Sequence, residues 1–185
     1  ARVLLGIRVH DITAGFREAL ARGYDVVVEM DADGSHPPET LPAMLRAVED
    51  GADLAIGSRW VRGGSVVDWP VHRELLSRGA NVYARVLLGI RVHDITAGFR
   101  AYRASLLREL DLEAIDSRGY AFQIEMTIAA SDARARMVEV PIAFVERAAG
   151  VSKMSGSIVL EALVKVTAWG IGRRLARVRR RARVL

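Results

Sequence analysis

Tyr24–Met30 (YDVVVEM) is the segment that most restricts what this chain can become. A short unbroken run of β-branched apolar residues marks a strand buried on both faces, as in a parallel sheet covered by helices. Such a sheet needs helical crossovers, and the following sequence supplies them. Pro38 suits a helix start, and Glu39–Glu49 has helical spacing. Asp53–Gly57 (DLAIG) is a second short buried strand. Gly63, Gly64 and Ser65 read as a flexible loop ending near Trp69-Pro70. A helix is expected over His72–Leu88, a strand over Ala97–Tyr102 and a helix over Tyr120–Ser131. Met137–Val145 (MVEVPIAFV) reads as one strand, with Pro141 marking an edge or bulge. Ser157–Arg183 reads as a long or broken helix. This alternation predicts an α/β fold with a mostly parallel sheet flanked by helices.

The chain has 185 residues, 51% of them hydrophobic, enough for one domain with a core of its own. It has no cysteine, which excludes a disulfide scaffold, a thiolate zinc site and a cysteine nucleophile. The net charge of +5 is localised. Arg173, Arg174, Arg177, Arg179, Arg180, Arg181 and Arg183 outweigh it on their own, and no acid follows Glu161. Such a tail points to an anionic surface, membrane or nucleic acid. The apolar stretch before it, Ile158–Gly172, is short for a membrane span and is interrupted by Glu161 and Lys165. Together the two read as an interfacial helix.

Residues 1–17 (ARVLLGIRVHDITAGFR) recur letter for letter at 84–100. Two short copies do not make a repeat architecture, which needs several similar units stacked on one another. The second copy sits in coherent surroundings and reads as the original. Leu4, Leu5 and Ile7 of the first are expected at most to pair with an exposed sheet edge.

Chemistry concentrates directly after the first buried strand, at Asp31-Ala32-Asp33. In open α/β sheets, ligands bind beyond the carboxyl ends of the strands. Two carboxylates there suit a hard divalent cation, Mg²⁺ or Mn²⁺, and such a cation neutralises a diphosphate leaving group. Arg59 follows the next strand, and Arg73 and Arg78 lie on the following helix, a loop-and-helix set that suits phosphate recognition. Five residues apart, Arg73 and Arg78 do not stack squarely on one helix face. His36 reads as a loop-packing residue. Trp60 and Trp69 suit a membrane interface or ordinary packing.

DADGSHPPE at 31–39 resembles the metal-binding segment of the dolichol- and polyprenol-phosphate mannose synthases, inverting glycosyltransferases of the GT-A fold. The resemblance runs in order from about Ala14 to Thr167. It passes through GSRWVRGGSV (57–66), WPVHRELLSRGANVYARVLLG (69–89), DITAGFR (94–100), GYAFQIEM (119–126), VPIAFVER (140–147) and GVSKMSGS (150–157). It implies transfer of mannose from GDP-mannose to a polyprenyl phosphate at the cytoplasmic face of a membrane, with the tail arginines on anionic lipid and no nucleic-acid partner. Asp31 and Asp33 are implied as metal ligands, and Asp33 and Asp94 as the catalytic pair. Asp31, Arg147, Ser152 and Lys153 are implied at the donor phosphates, and Arg59, Arg73 and Arg78 at the acceptor phosphate. Ser35, Gln123 and Glu125 are implied as lining the pocket. A phosphate monoester is largely dianionic at neutral pH, so Asp94 is read as a positioning group or weak base.

The family's opening pattern, which holds the nucleotide base and ribose, is not found in this sequence. Residues 1–13 are therefore expected to be a displaced copy, 14–156 the glycosyltransferase core without its first strands, and 157–185 the apolar helix with its basic tail. This chain is expected not to transfer sugar by itself. The alternatives are a polyprenyl-phosphate glucosyltransferase, and a non-catalytic basic module for membrane or nucleic acid.

Overall fold

A computed structural model describes residues 3–4, 12–117, 119–145 and 156–182. In chain order the elements are β1 (Val3–Leu4), α1 (Ile12–Ala21), β2 (Val26–Glu29), a 3-10 turn (Pro38–Thr40), α2 (Leu41–Glu49), β3 (Leu54–Ser58), β4 (Ser65–Val67), α3 (Val71–Leu88), β5 (Arg100–Arg103), α4 (Ala104–Glu109), α5 (Gly119–Asp132), β6 (Met137–Pro141), β7 (Ala143–Val145) and α6 (Gly156–Ala182).

Five strands form the main sheet in the order β1-β2-β5-β3-β6. β1 runs parallel to β2, and β6 parallel to β3. β5 runs antiparallel to both of its neighbours, so one reversed strand divides an otherwise parallel sheet. Alternation along the strands feeds two cores. Val27, Leu54, Ile56 and Tyr102 join Phe16, Leu88, Leu107 and Phe122 on one face. Val26, Val28, Ala55 and Ala101 meet Met44 and Val48 of α2 on the other. With both faces covered, no polar residue is tolerated in the middle of β2, which is why its sequence reads VVV.

Several expectations need correction. The Gly-Gly-Ser loop is not simply flexible. Ser65–Val67 form β4, which pairs in parallel with β7 as a separate two-stranded ribbon. Gly64 packs so closely that a Cβ there would lie 2.5 Å from the Ser58 carbonyl oxygen. Met137–Val145 is two strands in two sheets. β6 ends at Pro141 on the edge of the main sheet, where a residue without an N–H costs no ladder bond. Ile142 then donates to Ser58 O (3.0 Å) and accepts from Ser65 N (3.0 Å), carrying the chain into the ribbon. The strand expected from Ala97 begins only at Arg100. α4 was not anticipated. α1 begins at Ile12, inside the segment assigned to the displaced copy. Val3 and Leu4 of that copy pair with the β2 edge; Leu5 and Ile7 lie outside the described residues.

α3 stops at Gly89, whose left-handed φ of 69° and N–H bond to Arg85 O close the last turn. α6 lies across α3 and α5. Val166 is buried, and a Cβ on Gly170 would lie 2.5 Å from Leu87 Cγ, so the two helices touch at a bare backbone. Polar clips fix the contact: Tyr83 Oη with Thr167 Oγ1 (2.7 Å), Lys165 Nζ to Ser117 Oγ (3.0 Å), and Arg173 to both carboxylate oxygens of Asp132 (2.5 and 2.6 Å). Among the described residues, no helix is long and apolar enough to cross a membrane.

Candidate active site

β2 ends at Glu29, and the next residues curl over the carboxyl end of the sheet. Asp31 and Asp33 are exposed there. Ser35 N donates to Asp33 Oδ1 (3.0 Å), a two-residue side-chain turn that brings the loop back inward. Ser35 and His36 are consequently buried. The Asp31 N–H donates to His36 Nδ1 (3.0 Å), so Nδ1 carries no proton. Burial holds the imidazole below its ordinary pKa, although Asp31 and Asp33 act the other way. The His36 ring stacks on Phe99 (5.3 Å, 23°) and meets Phe144 edge-on (5.5 Å, 72°). Among the described residues, no three His, Cys, Asp or Glu side chains gather into a closed metal site. The donor set is two exposed carboxylates, which suits a cation whose remaining ligands are water and substrate phosphate.

A second cluster forms where the β3 loop meets α3. Arg59 is buried and donates to Asp94 three times: from its backbone N (2.9 Å) and Nε (2.7 Å) to Oδ2, and from Nη2 (2.6 Å) to Oδ1. Asp94 is fully buried, and its own N–H donates to Glu139 Oε1 (3.0 Å). The Arg59 guanidinium also lies near the rings of Trp60 (5.3 Å), Trp69 (5.4 Å) and Phe144 (5.5 Å). Arg73 stacks over Trp69 (4.0 Å) and Arg78 over Trp60 (4.2 Å). Trp60 and Trp69 are themselves in edge contact (6.4 Å). Arg73 and Arg78 thus reach one aromatic pair from different helix positions, and the tryptophans, not a shared helix face, bring them together. Arg78 also bonds Glu74 (2.8 Å) one turn back. Arg59 and Trp69 also line a mainly apolar cavity between α3, α5 and α6, together with Leu76, Ile124, Leu163 and Val166.

The pocket residues divide. Gln123 is buried on α5 and donates from Nε2 to Glu29 Oε1. Burial raises the Glu29 carboxyl to about 7, against the pull of nearby Arg100. Glu125 instead faces Ser117, accepting from its N–H (3.1 Å). Ser35 lies in the acidic loop already described. Arg147, Ser152 and Lys153 lie outside the described residues. Sequence reading missed Glu29 and the tryptophan stacking. Trp60 directly follows Arg59, and Trp69 lies four residues before Arg73, so arginine–aromatic spacing was the available signal.

Residues 11–111 match the family model described as glycosyl transferase family 2. The chain is 59% identical over 166 residues to the polyprenol monophosphomannose synthase of Mycolicibacterium smegmatis, covering 90% of this chain and 63% of that protein. It is 57% identical over 168 residues to the undecaprenyl-phosphate mannosyltransferase of Micrococcus luteus, covering 91% of this chain and 69% of that one. The dolichol-phosphate mannosyltransferase of Pyrococcus furiosus is 41% identical over 154 residues, covering 82% of this chain and 42% of that protein. The fold is shared with glucosyl-3-phosphoglycerate synthase of Mycobacterium tuberculosis, solved with Mn²⁺ and UDP-glucose. The TM-score is 0.56 at 20% identity, over 89% of this chain and 56% of that one. In its complex with phosphoglyceric acid, the same protein matches with a TM-score of 0.58, also at 20% identity, over 91% of this chain and 56% of that one.

Proposed function

The chain belongs to glycosyl transferase family 2, and from that membership we propose that it carries the catalytic core of an inverting mannosyltransferase acting on a polyprenyl phosphate. The observation that carries the reading is the pairing of two exposed acids beyond β2 with an arginine–tryptophan cluster beside an apolar cavity. One end suits a nucleotide diphosphate and the other a phosphate on a hydrocarbon chain.

In this reading Asp31 and Asp33 would hold Mg²⁺ or Mn²⁺, and Asp33 is the one assigned to catalysis on resemblance. The cation supplies charge neutralisation for the departing diphosphate. Arg73 and Arg78 receive the acceptor phosphate with Arg59, whose charge is shared with Asp94. An acceptor oxygen forms the bond to the sugar's anomeric carbon as the bond to GDP breaks. The electron pair leaves on the diphosphate, and the configuration inverts. No proton needs removal from a dianionic phosphate, so a buried Asp94 suits positioning better than base catalysis. Gln123 steadies the pocket through Glu29, and Ser35 closes the acidic loop. Glu125, turned toward Ser117, acts only at a remove. Arg147, Ser152 and Lys153 are assigned to the donor phosphates on resemblance alone.

Val71, Leu75, Val82 and Val86 of α3, with Leu160, Val164, Ile171 and Leu175 of α6, are exposed apolar residues on two helices that pack together, and the arginine-rich segment follows in sequence. They support peripheral attachment at a cytoplasmic anionic leaflet, each basic residue contributing about 1 kcal/mol.

The chain spans 63%, 69% and 42% of the three relatives' lengths, so the test runs it beside a full-length relative. Transfer from GDP-mannose to polyprenyl phosphate is measured with Mn²⁺ or Mg²⁺, and a glucose donor is run beside it. Asp33→Ala should lower metal-dependent turnover by about a hundredfold or more. Full activity in that variant removes the metal assignment. Arg73→Ala should raise the KM for polyprenyl phosphate more than that for nucleotide, and the reverse places it at the donor.

A further inference from the structure

His36 is more tightly specified than a loop-packing residue needs to be. The residue is 3% exposed, and its ring lies between Phe99 and Phe144. Phe99 cannot retreat, because it packs onto Gly57, where even a Cβ would come within 3.2 Å of it. Phe144 cannot swing away freely either. It meets Trp69 edge-on (5.5 Å, 80°), and the Arg59 guanidinium lies 5.5 Å from its centre. The two phenylalanines set the plane of the imidazole, and the Asp31 N–H, donating to Nδ1 (3.0 Å), sets which edge faces the acidic loop. A second tie runs alongside, from Val145 N to Ser35 O (3.3 Å). An unbroken row of rings, Phe99–His36–Phe144–Trp69–Trp60, connects the acidic loop to the arginine cluster.

We propose that His36 is a positioning residue: its ring, clamped by Phe99 and Phe144, fixes the Asp31 backbone and so holds the acidic loop at a set distance from the arginine–tryptophan cluster. The position asks for two properties at once, a flat ring to stack and an acceptor at the edge facing Asp31. Phenylalanine offers only the ring. Asparagine offers only the acceptor, because its Oδ1 reaches about where Nδ1 sits. The inference rests on the metal-and-phosphate reading for its consequence, but the anchor itself is a property of the protein alone.

The test uses the 185-residue chain and two readouts: hydrogen exchange of the Asp31 amide without metal, and Mn²⁺ affinity in the presence of GDP, followed by electron paramagnetic resonance of the free ion. His36→Phe should speed Asp31 exchange and weaken Mn²⁺ binding by about tenfold each, the scale of one lost buried hydrogen bond. His36→Asn should stay within about threefold of the native protein in both, even if it lowers the melting temperature more. Phe144→Leu, which leaves the acceptor in place and opens one side of the clamp, should move both readouts in the same direction by about threefold. Native exchange and native affinity in His36→Phe overturn the proposal. So does greater impairment in the Asn variant than in the Phe variant, which would put the volume of the ring, not its acceptor, at work. If the native chain binds no Mn²⁺ while His36→Phe still accelerates Asp31 exchange, the anchor stands and the metal assignment falls.

Discussion

Residues 1–17 and 84–100 are the same seventeen letters, yet the described parts of the two copies share almost no structure. Val3–Leu4 form a strand at the sheet edge, whereas Val86–Leu87 lie in the last turns of α3. Ile12–Arg17 open helix α1, whereas Ile95–Phe99 form an irregular segment that enters β5 at Arg100. Phe16 packs edge-on against Tyr102 on one side of the sheet, and Phe99 stacks on His36 on the other. Arg17 is exposed, and Arg100 is wholly buried. Local preference cannot account for this, since it is identical in both. What differs is the neighbours. The first copy runs on into EALARGYD, which extends a helix. The second meets β2 and β3, whose unpaired backbone groups accept a strand between them.

The contrast should be sharpest at the arginine. The Arg100 guanidinium donates to Ala97 O (2.7 Å), Ile95 O (2.8 Å) and Thr127 Oγ1 (3.0 Å), and it offsets the buried Glu29 charge. Arg100→Ala should cost about 3–5 kcal/mol in urea unfolding, and Arg17→Ala no more than about 0.5. Equal losses would mean that the two sites are not as different as their burial. The phenylalanines separate stability from function. Phe16→Leu and Phe99→Leu should each cost roughly 1–2 kcal/mol, but only the second should weaken Mn²⁺ binding, because only Phe99 backs His36. A matched loss of Mn²⁺ affinity would point to global softening instead.

A smaller effect is expected at Thr96, whose hydroxyl receives Arg59 Nη2 (3.1 Å) and donates to Asp94 Oδ1 (3.3 Å). Thr96→Val should cost about 1 kcal/mol and raise the KM for polyprenyl phosphate, with the nucleotide KM unchanged. At the bottom of the scale, a synthetic peptide of residues 84–100 should show no fixed structure by circular dichroism at 25 °C, since an isolated segment this short is marginal even when its composition favours helix. A stable helix in the peptide would make local preference a real contributor to α1.

These copies also mark how far the sequence could be read. β2, α2, β3, α3, α5 and α6 were legible because hydrophobic spacing carries them: VVV for a doubly covered strand, and the apolar stripe of α3. β4 was not, because Ser65–Val67 is a strand only by virtue of Ala143–Val145, which arrives 78 residues later. The reversal of β5 left no local trace, since direction is set by which neighbours are already in place. In the site, the acids and arginines were legible by type and spacing. The Arg59–Asp94 pair, the Glu29–Gln123 bond and the tryptophan stacking were not, because each joins residues that only the fold makes adjacent.

The passage of one chain from β6 through Ile142 into β7 makes the ribbon a matter of parity. Side chains along a strand alternate, so whether Phe144 faces His36 depends on the number of residues since Val138 being even. Adding or deleting a single residue between Pro141 and Phe144 would turn the phenylalanine toward solvent and bring Ala143 or Val145 into its place, with composition and hydropathy almost unchanged. Adding two would restore the facing. Across relatives, this stretch can therefore change its letters far more freely than it can change its length.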